Sequence, residues 1–228
     1  MKYSAVIFDL FGTLAESPTF SGRERSLRAM AAVLSAPYTE FERQWSNTSN
    51  DRDTGALPDF RSTLEYVCRS LSIHSDDGQI EEATRLRLEY FRGLLAPRAG
   101  SVETLTKLKE LNLKLGLISD CSVEVPMVWG ETPFSSLIDK TVFSCLVRVK
   151  KPDPRIYRIA AERLRLLASH CLFIGDGGSR ELTGASKAGM GAVLVRPATL
   201  DPDAHVIDRE QWHGLSIGSL TEVLALVE

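Results

Sequence analysis

The sequence lacks any paired cysteine motif. Cys68, Cys121, Cys145 and Cys171 are isolated from one another, which excludes a zinc ribbon and a thioredoxin-type Cys-x-x-Cys. It has no apolar run near the ~20 residues of a membrane span. The apolar start, Met1 to Phe8, is too short for a secretory signal and is closed by Asp9. Free thiols and a cytoplasmic location are the expectations, and the Asn47-Thr48-Ser49 sequon is then without meaning. Basic charge is not in excess either. Lys and Arg total 27 against 30 Asp and Glu, for a net charge of −3, so a nucleic-acid partner held by phosphate neutralisation is not expected. His74, His170, His205 and His213 are scattered without metal-ligand spacing. Lysine is absent from Ala15 to Leu95, where every basic residue is arginine.

What is present is ordinary for a globular protein. The chain has 228 residues, 43% hydrophobic and 25% charged, enough for one large domain or one and a half. A chain of this size buries a core without disulfides or structural metal. Residues Tyr3 to Phe8 read as a short buried strand. From about Pro18 to Leu95 only helical periodicity follows. Leu27, Met30, Ala31 and Leu34 mark one helix, stopped by Pro37. Phe60, Leu64, Val67 and Leu71 mark a second. Ile80, Ala83, Leu86, Leu88 and Phe91 mark a third, with Asp76 and Asp77 near its start. The polar stretch Ser46–Gly55 reads as a loop.

After Pro97 helix and strand alternate. Val102, Leu105, Leu108 and Leu111 form a helix face, and Leu113–Ile118 a strand. Val142–Val147 reads as extended, Pro154–Leu167 as helix and Cys171–Gly175 as strand. Arg180–Ala188 is expected to be helical, Ala192–Arg196 a strand, and Ser219–Val227 a last helix. Strands separated by single helices predict a parallel sheet covered on both faces. The fold class is therefore α/β: a doubly wound, Rossmann-like parallel sheet with an all-helical cap inserted after the first strand. The expected boundaries are 1–14 and 97–228 for the core and 15–96 for the cap.

In an open parallel sheet, ligands gather beyond the carboxyl ends of the strands. Asp9-Leu10-Phe11-Gly12-Thr13 follows the first strand, and Ser119-Asp120 follows the next. Lys150-Lys151-Pro152-Asp153 precedes the Pro154 helix, and Gly175-Asp176-Gly177-Gly178-Ser179-Arg180-Glu181 follows the strand at Cys171. Carboxylates, a hydroxyl and an ammonium at such places can hold a divalent cation and a phosphate. A carboxylate can also attack phosphorus. Each group has a plainer reading as a turn former or helix cap; their order and placement together point to chemistry.

The ordered set resembles the haloacid dehalogenase superfamily. Asp9-Leu10-Phe11-Gly12-Thr13 is similar to its first motif and Ser119 to its second. Lys151, in Lys-Pro-Asp-Pro-Arg-Ile-Tyr, matches the third, and Asp176 with Glu181 the fourth. The resemblance spans roughly residues 3–196. It implies Asp9 as nucleophile, Thr13 orienting the nucleophile loop, and Ser119, Lys151 and Gly12 around the phosphate. It also implies Mg²⁺ held by Asp9, Asp176, Glu181 and the carbonyl of Phe11, a mobile cap, and an aspartyl-phosphate intermediate. One position departs from the pattern. Family phosphatases carry a second Asp two residues after the nucleophile, as general acid and base, and here that position is Phe11.

Three functions follow as expectations. The first is a Mg²⁺-dependent hydrolase of a small phosphorylated metabolite. The second is a metal-independent 2-haloacid dehalogenase. The third is a fold kept as a binding or regulatory module. A monomer or homodimer is expected, with neither nucleic acid nor membrane as partner. Among cap residues, Arg23, Arg25, Trp45, Arg52 and Arg61 are the candidates to face the substrate. Gly214-Leu215-Ser216-Ile217-Gly218 matches the serine-hydrolase G-x-S-x-G, but no Asp or His follows it in the remaining chain. Ser219 reads instead as the cap of the last helix.

Overall fold

Residues Ala5–Phe8 form strand β1, and all four are buried. Their side chains alternate between two apolar layers, Val6 and Phe8 entering one, Ala5 and Ile7 the other. This two-sided burial is why the strand reads as a continuous apolar run. The remaining strands are β2 (Lys114–Ser119), β3 (Lys140–Phe143), β4 (Cys171–Gly175), β5 (Gly191–Val195) and β6 (Ser216–Ile217). They make one parallel sheet in the order β3-β2-β1-β4-β5-β6. The order reverses between β1 and β4, the switch point where doubly wound sheets bind ligands. The computed structural model describes residues 2–196, 202–204 and 210–227; His205 lies outside them.

One face of the sheet is covered by α9 (Pro154–Leu164) and α10 (Glu181–Lys187), through Ile156, Tyr157, Leu164 and Leu182. The other face shares its core with α6 (Ser101–Glu110), α11 (Leu224–Val227) and the helices that lie between β1 and β2 in the chain. Those are α1 (Phe20–Val33), α2 (Tyr38–Asn47), α3 (Ser49–Asp53), α4 (Phe60–Ser70) and α5 (Asp77–Leu94). Two shorter helices, α7 (Glu124–Val128) and α8 (Ser144–Val147), follow β2 and β3. Helix starts are chemically marked. Thr19 accepts the Gly22 amide, Asp59 accepts that of Ser62, and Asp76 forms a reciprocal capping box with Gln79. Ser219 does the same with Glu222 ahead of α11. Among the described residues no helix is long and apolar enough to cross a membrane.

Two local expectations are corrected. Ser46–Gly55 is not a loop, because it holds the end of α2 and all of α3. The reason is tertiary. Arg52 is buried, donates from Nε to Thr48 Oγ1 (3.1 Å), and stacks on Trp45, so a polar stretch is held helical. Trp45 is itself fully buried between Phe41 and Phe60. Within Val142–Val147, the extended part ends at Phe143 and α8 begins. The buried Ser144 hydroxyl accepts from the Cys121 amide (2.9 Å) and donates to the Cys121 carbonyl (3.2 Å), turning the chain there. Smaller differences are at ends. Helix α9 stops at Leu164, where Arg165 takes a left-handed conformation. All four cysteines are free and buried.

One buried ion pair joins the helices before β2 to those after it. Arg87 of α5 donates from Nε to Glu124 of α7 at 3.0 Å, and both side chains are below a tenth exposed. Burial pushes the Glu124 carboxyl up, but Arg87 and Arg52 outweigh it and hold it below the usual range. Its stabilisation is therefore full above the unfolded-state pKa and is lost as pH falls through the lowered folded value. Glu124→Gln is expected to cost about 3–5 kcal/mol at pH 7, since Arg87 stays buried without its counter-charge. Urea unfolding across pH checks this, and the gap from the wild type should narrow below about pH 4.

Candidate active site

The chain leaves β1 at Asp9, whose amide still donates to the Ile174 carbonyl of β4 (2.9 Å). The next residues fold into a tight loop in which the Leu10 carbonyl accepts from the amides of Thr13, Leu14 and Ala15. Gly12 allows this turn with φ of +81°, and a side chain there would collide with the Asp176 carboxylate. The loop brings Thr13 back on Asp9, its hydroxyl donating to Oδ2 at 3.1 Å. The Lys151 ammonium donates to Asp9 Oδ1 at 2.5 Å and to Glu181 Oε2 at 2.6 Å. Glu181 Oε1 accepts the Gly177 amide (3.0 Å), and Asp176 Oδ1 accepts that of Gly178 (2.9 Å). Gly175 must be glycine, since a Cβ would overlap the Glu181 carboxyl group.

Asp9, Asp176 and Glu181 are all buried, and an oxygen from each lies within 4.8 Å of the others. Burial raises the Asp9 and Glu181 pKa values, and each is raised further by the neighbouring carboxylates. Burial would lower the Lys151 pKa, but Asp9 and Glu181 outweigh it and hold the ammonium charged. Three carboxylates around one ammonium leave about two negative charges uncompensated when all are ionised. Hard oxygen donors with that excess suit a divalent cation such as Mg²⁺. Asp9 and Asp176 would hold it, with Glu181 anchored by Lys151 and the Gly177 amide beside them.

Ser119 ends β2 next to Asp9's strand. It is buried, and its hydroxyl faces the Cys121 thiol, a weak hydrogen-bond partner. A hydroxyl so weakly held can turn to an arriving ligand. Asp120 beside it accepts the Lys151 amide at 2.9 Å, and burial raises its pKa. Tyr157 secures the other side, its hydroxyl donating to the Glu181 carbonyl (2.9 Å). A cavity of about 290 Å³ opens over these groups, with Phe11, Lys151, Asp176 and Glu181 on its floor and residues of α1, α3 and α5 on its wall.

The structure thus unites Asp9, Gly12, Thr13, Lys151, Asp176 and Glu181, with Ser119 on the adjoining strand. Of the five residues expected to face the substrate, Arg23 and Arg52 line the cavity. Arg25 and Arg61 do not, and Trp45 is buried behind Arg52. Asp120, one of the strand-end carboxylates, also lines it, as do Arg87 and Asp53, which were not anticipated. Arg87 carried a legible signal. It falls on the buried stripe of α5 with Ile80, Ala83 and Phe91, where a cation is out of place. Ser216 of the serine-hydrolase look-alike lies in edge strand β6, so the look-alike is not a strand-to-helix nucleophile turn.

A doubly wound sheet with its charged cleft at the switch point places the chain among the α/β proteins that bind ligands beyond their strand ends. The model of the haloacid dehalogenase-like hydrolases matches residues 3–189, and the chain belongs to that family. It is 35% identical over 218 residues to the Rhythmically expressed gene 2 protein of Drosophila melanogaster, covering 85% of this chain and 83% of that one. It is 29% identical over 207 residues to Phosphatase MT3486 of Mycobacterium tuberculosis, covering 86% and 88%. Among solved structures, a 2-haloacid dehalogenase from Pseudomonas syringae pv. Tomato superposes with a TM-score of 0.72, at 21% identity, over 99% of this chain and 98% of that one. That likeness is one of fold. Relatives thus include both phosphatase and dehalogenase. The family is one of hydrolases, which sets aside the reading as a non-catalytic module.

Lys151 is the only cation in contact with the Asp9–Glu181 pair among the described residues. Lys151→Met should therefore lower stability in metal-free buffer by about 3–5 kcal/mol, as expected when a buried charge partner is removed. Denaturant titration of the two proteins tests it.

Proposed function

We propose that the protein is a Mg²⁺-dependent phosphatase of a small phosphorylated metabolite, working through an aspartyl-phosphate on Asp9. The observation that carries this reading is the buried cluster of Asp9, Asp176 and Glu181 around Lys151. Phosphoryl transfer needs neutralisation of charge on the phosphate oxygens more than covalent help. Bound Mg²⁺ would supply part of that neutralisation, held by Asp9, Asp176, Glu181 and the Phe11 carbonyl. The Lys151 ammonium and the Ser119 hydroxyl would take the remaining phosphate oxygens, with Gly12 allowing their close approach.

Asp9 attacks phosphorus through a carboxylate oxygen, forming the new O–P bond as the bond to the substrate oxygen breaks. Thr13 holds the other carboxylate oxygen and so fixes the angle of attack. Water then attacks phosphorus, releasing phosphate and restoring the Asp9 carboxylate. The helices from residue 15 to 96 act as a cap that closes over the substrate and excludes bulk water. Phe11 cannot protonate the leaving oxygen, so that proton comes from water and the rate is low. The fold is read as cytoplasmic and as acting alone or as a homodimer.

Phe11 favours a second reading, hydrolysis of a 2-haloacid. A halide leaving group needs no proton, and Phe11 lines the cavity. Against it stand Asp176 and Glu181, since an acidic metal site has no task in releasing halide. The phosphatase reading is preferred for that reason.

Phosphate release from a phosphomonoester panel should depend on Mg²⁺, stop on chelation, and be abolished in Asp9→Asn. Halide release from a 2-haloacid that survives the chelator would overturn the reading in favour of the second. Phe11→Asp should raise kcat on phosphomonoesters by about 10²-fold or more, the worth of a general acid; steady-state kinetics give the ratio.

A further inference from the structure

The wall of the cavity opposite the carboxylate cluster carries three guanidinium groups, from Arg23, Arg52 and Arg87. Two of them, Arg52 and Arg87, are buried, at 7% and 6% exposed. Their neighbours answer that charge unequally. Arg87 has a carboxylate partner in Glu124 at 3.0 Å and donates to Ser26 Oγ at 3.2 Å. Arg23 is half-exposed, with Glu42 at 3.6 Å and Ser46 Oγ at 2.7 Å. Arg52 has no carboxylate within ion-pair distance among the described residues. Its hydrogen-bond partners are neutral: Thr48 Oγ1 at 3.1 Å and the Trp45 carbonyl at 3.3 Å. The Trp45 ring lies against both buried guanidiniums, 4.3 Å from Arg52 and 5.3 Å from Arg87.

Burying a cation without a counter-charge is unfavourable unless something compensates it. Here burial lowers the Arg52 pKa to about 10, with Arg87 adding to the effect and Glu124 opposing it. The group stays charged at neutral pH. Asp53 is the nearest acidic neighbour in sequence; burial pushes its pKa up to about 6, which leaves it mostly ionised at neutral pH, but it makes no ion-pair contact with Arg52 among the described residues. Asp120 and Lys150, across the cavity, are opposite in sign to one another. Arg52 therefore presents to the cavity a buried guanidinium that no carboxylate contacts among the described residues. A planar guanidinium with free N–H groups, braced by an aromatic ring, is suited to binding a carboxylate or phosphate.

We propose that the arginine wall is a second anion site, and that the substrate is a small phosphomonoester bearing a further carboxylate or phosphate at its other end. This rests on the phosphatase reading and narrows it. The reacting phosphate would lie at Lys151 and Ser119, and the second anion at Arg52 and Arg87. Arg23 sits at the more exposed edge and would help draw the anion in. Neutral sugar phosphates and alkyl phosphates would be poorer substrates because they leave Arg52 without a contacting counter-charge.

The test uses the full chain with Mg²⁺ and three pairs of phosphonates. Phosphonoacetate, 3-phosphonopropionate and 4-phosphonobutyrate are each compared by calorimetry with the alkylphosphonate that lacks the carboxylate. At least one acid should bind about 10- to 100-fold tighter than its partner, the worth of a charge-assisted contact. That ratio should fall close to one in Arg52→Gln and persist in Arg61→Gln, whose exposed guanidinium pairs with Glu65 outside the cavity. If Arg52→Gln fails to fold, Arg52→Lys reads the same ratio, which should drop without reaching one. Equal affinity within every pair in the wild type would overturn the second anion site and leave the phosphatase reading standing. A ratio unchanged in the Arg52 variant would overturn it as well. Absence of binding by all six, together with no phosphate release from the ester panel, would overturn the phosphatase reading and this proposal with it.

Discussion

The Lys151 ammonium is the point on which the site is hung. It bridges Asp9 at the end of β1 and Glu181 at the start of α10, at 2.5 and 2.6 Å, with all three residues buried. Its own backbone amide is held by Asp120, which follows β2. Three strand ends are thereby tied through one residue. In so apolar a setting, neither the lysine nor the carboxylates would be tolerated alone. The arrangement keeps the Asp9 carboxylate oriented, with Thr13 on its second oxygen. It also explains why glycine stands at positions 12 and 175, where the acids press against backbone.

A second charged assembly, above the first, follows the same rule with the signs reversed. Around Lys151 carboxylates outnumber the ammonium, and on the wall Arg87 is answered by Glu124 while no carboxylate contacts Arg52 among the described residues. Glu124 ties Arg87 to the sheet side of the molecule, so the wall of the cavity and its floor are linked by a buried ion pair. The aromatic group Phe41, Trp45 and Phe60 gives the arginines a rigid backing. The cavity thus lies between two surfaces of opposite polarity, as suits a ligand that carries anionic groups toward both a metal site and a cationic wall.

Much of this was legible in the chain. Two-sided burial makes β1 and β4 unbroken apolar runs, and the polar residues ending them fall at the switch point of the sheet. Asp9, Ser119, Lys151, Asp176 and Glu181 could therefore be placed before their contacts were known. The stop of the first helix and the starts near Asp76 and Ser219 were marked by capping residues and proline. Where the reading failed, local pattern and tertiary packing disagreed. Ser46–Gly55 is polar, and only the burial of Arg52 against Trp45 makes its central part helical. Val142–Val147 is short and apolar, a pattern shared by a strand and a buried turn of helix. Arg87 was not among the residues named, although it falls on the buried stripe of α5.

What the sequence determined by itself is the sheet, the helical stretch after its first strand, and the ordered carboxylate, hydroxyl and lysine at the strand ends. These depend on local periodicity and on a topology with few alternatives. Only the tertiary structure decided which arginines face the cavity and which carboxylates answer them. Charge compensation is a sum over neighbours distant in sequence: Arg87 with Glu124, Arg52 with the backbone and ring of Trp45. Local periodicity carries no term for such a sum. Even the four isolated cysteines take their meaning from the fold, which buries each of them as a free thiol.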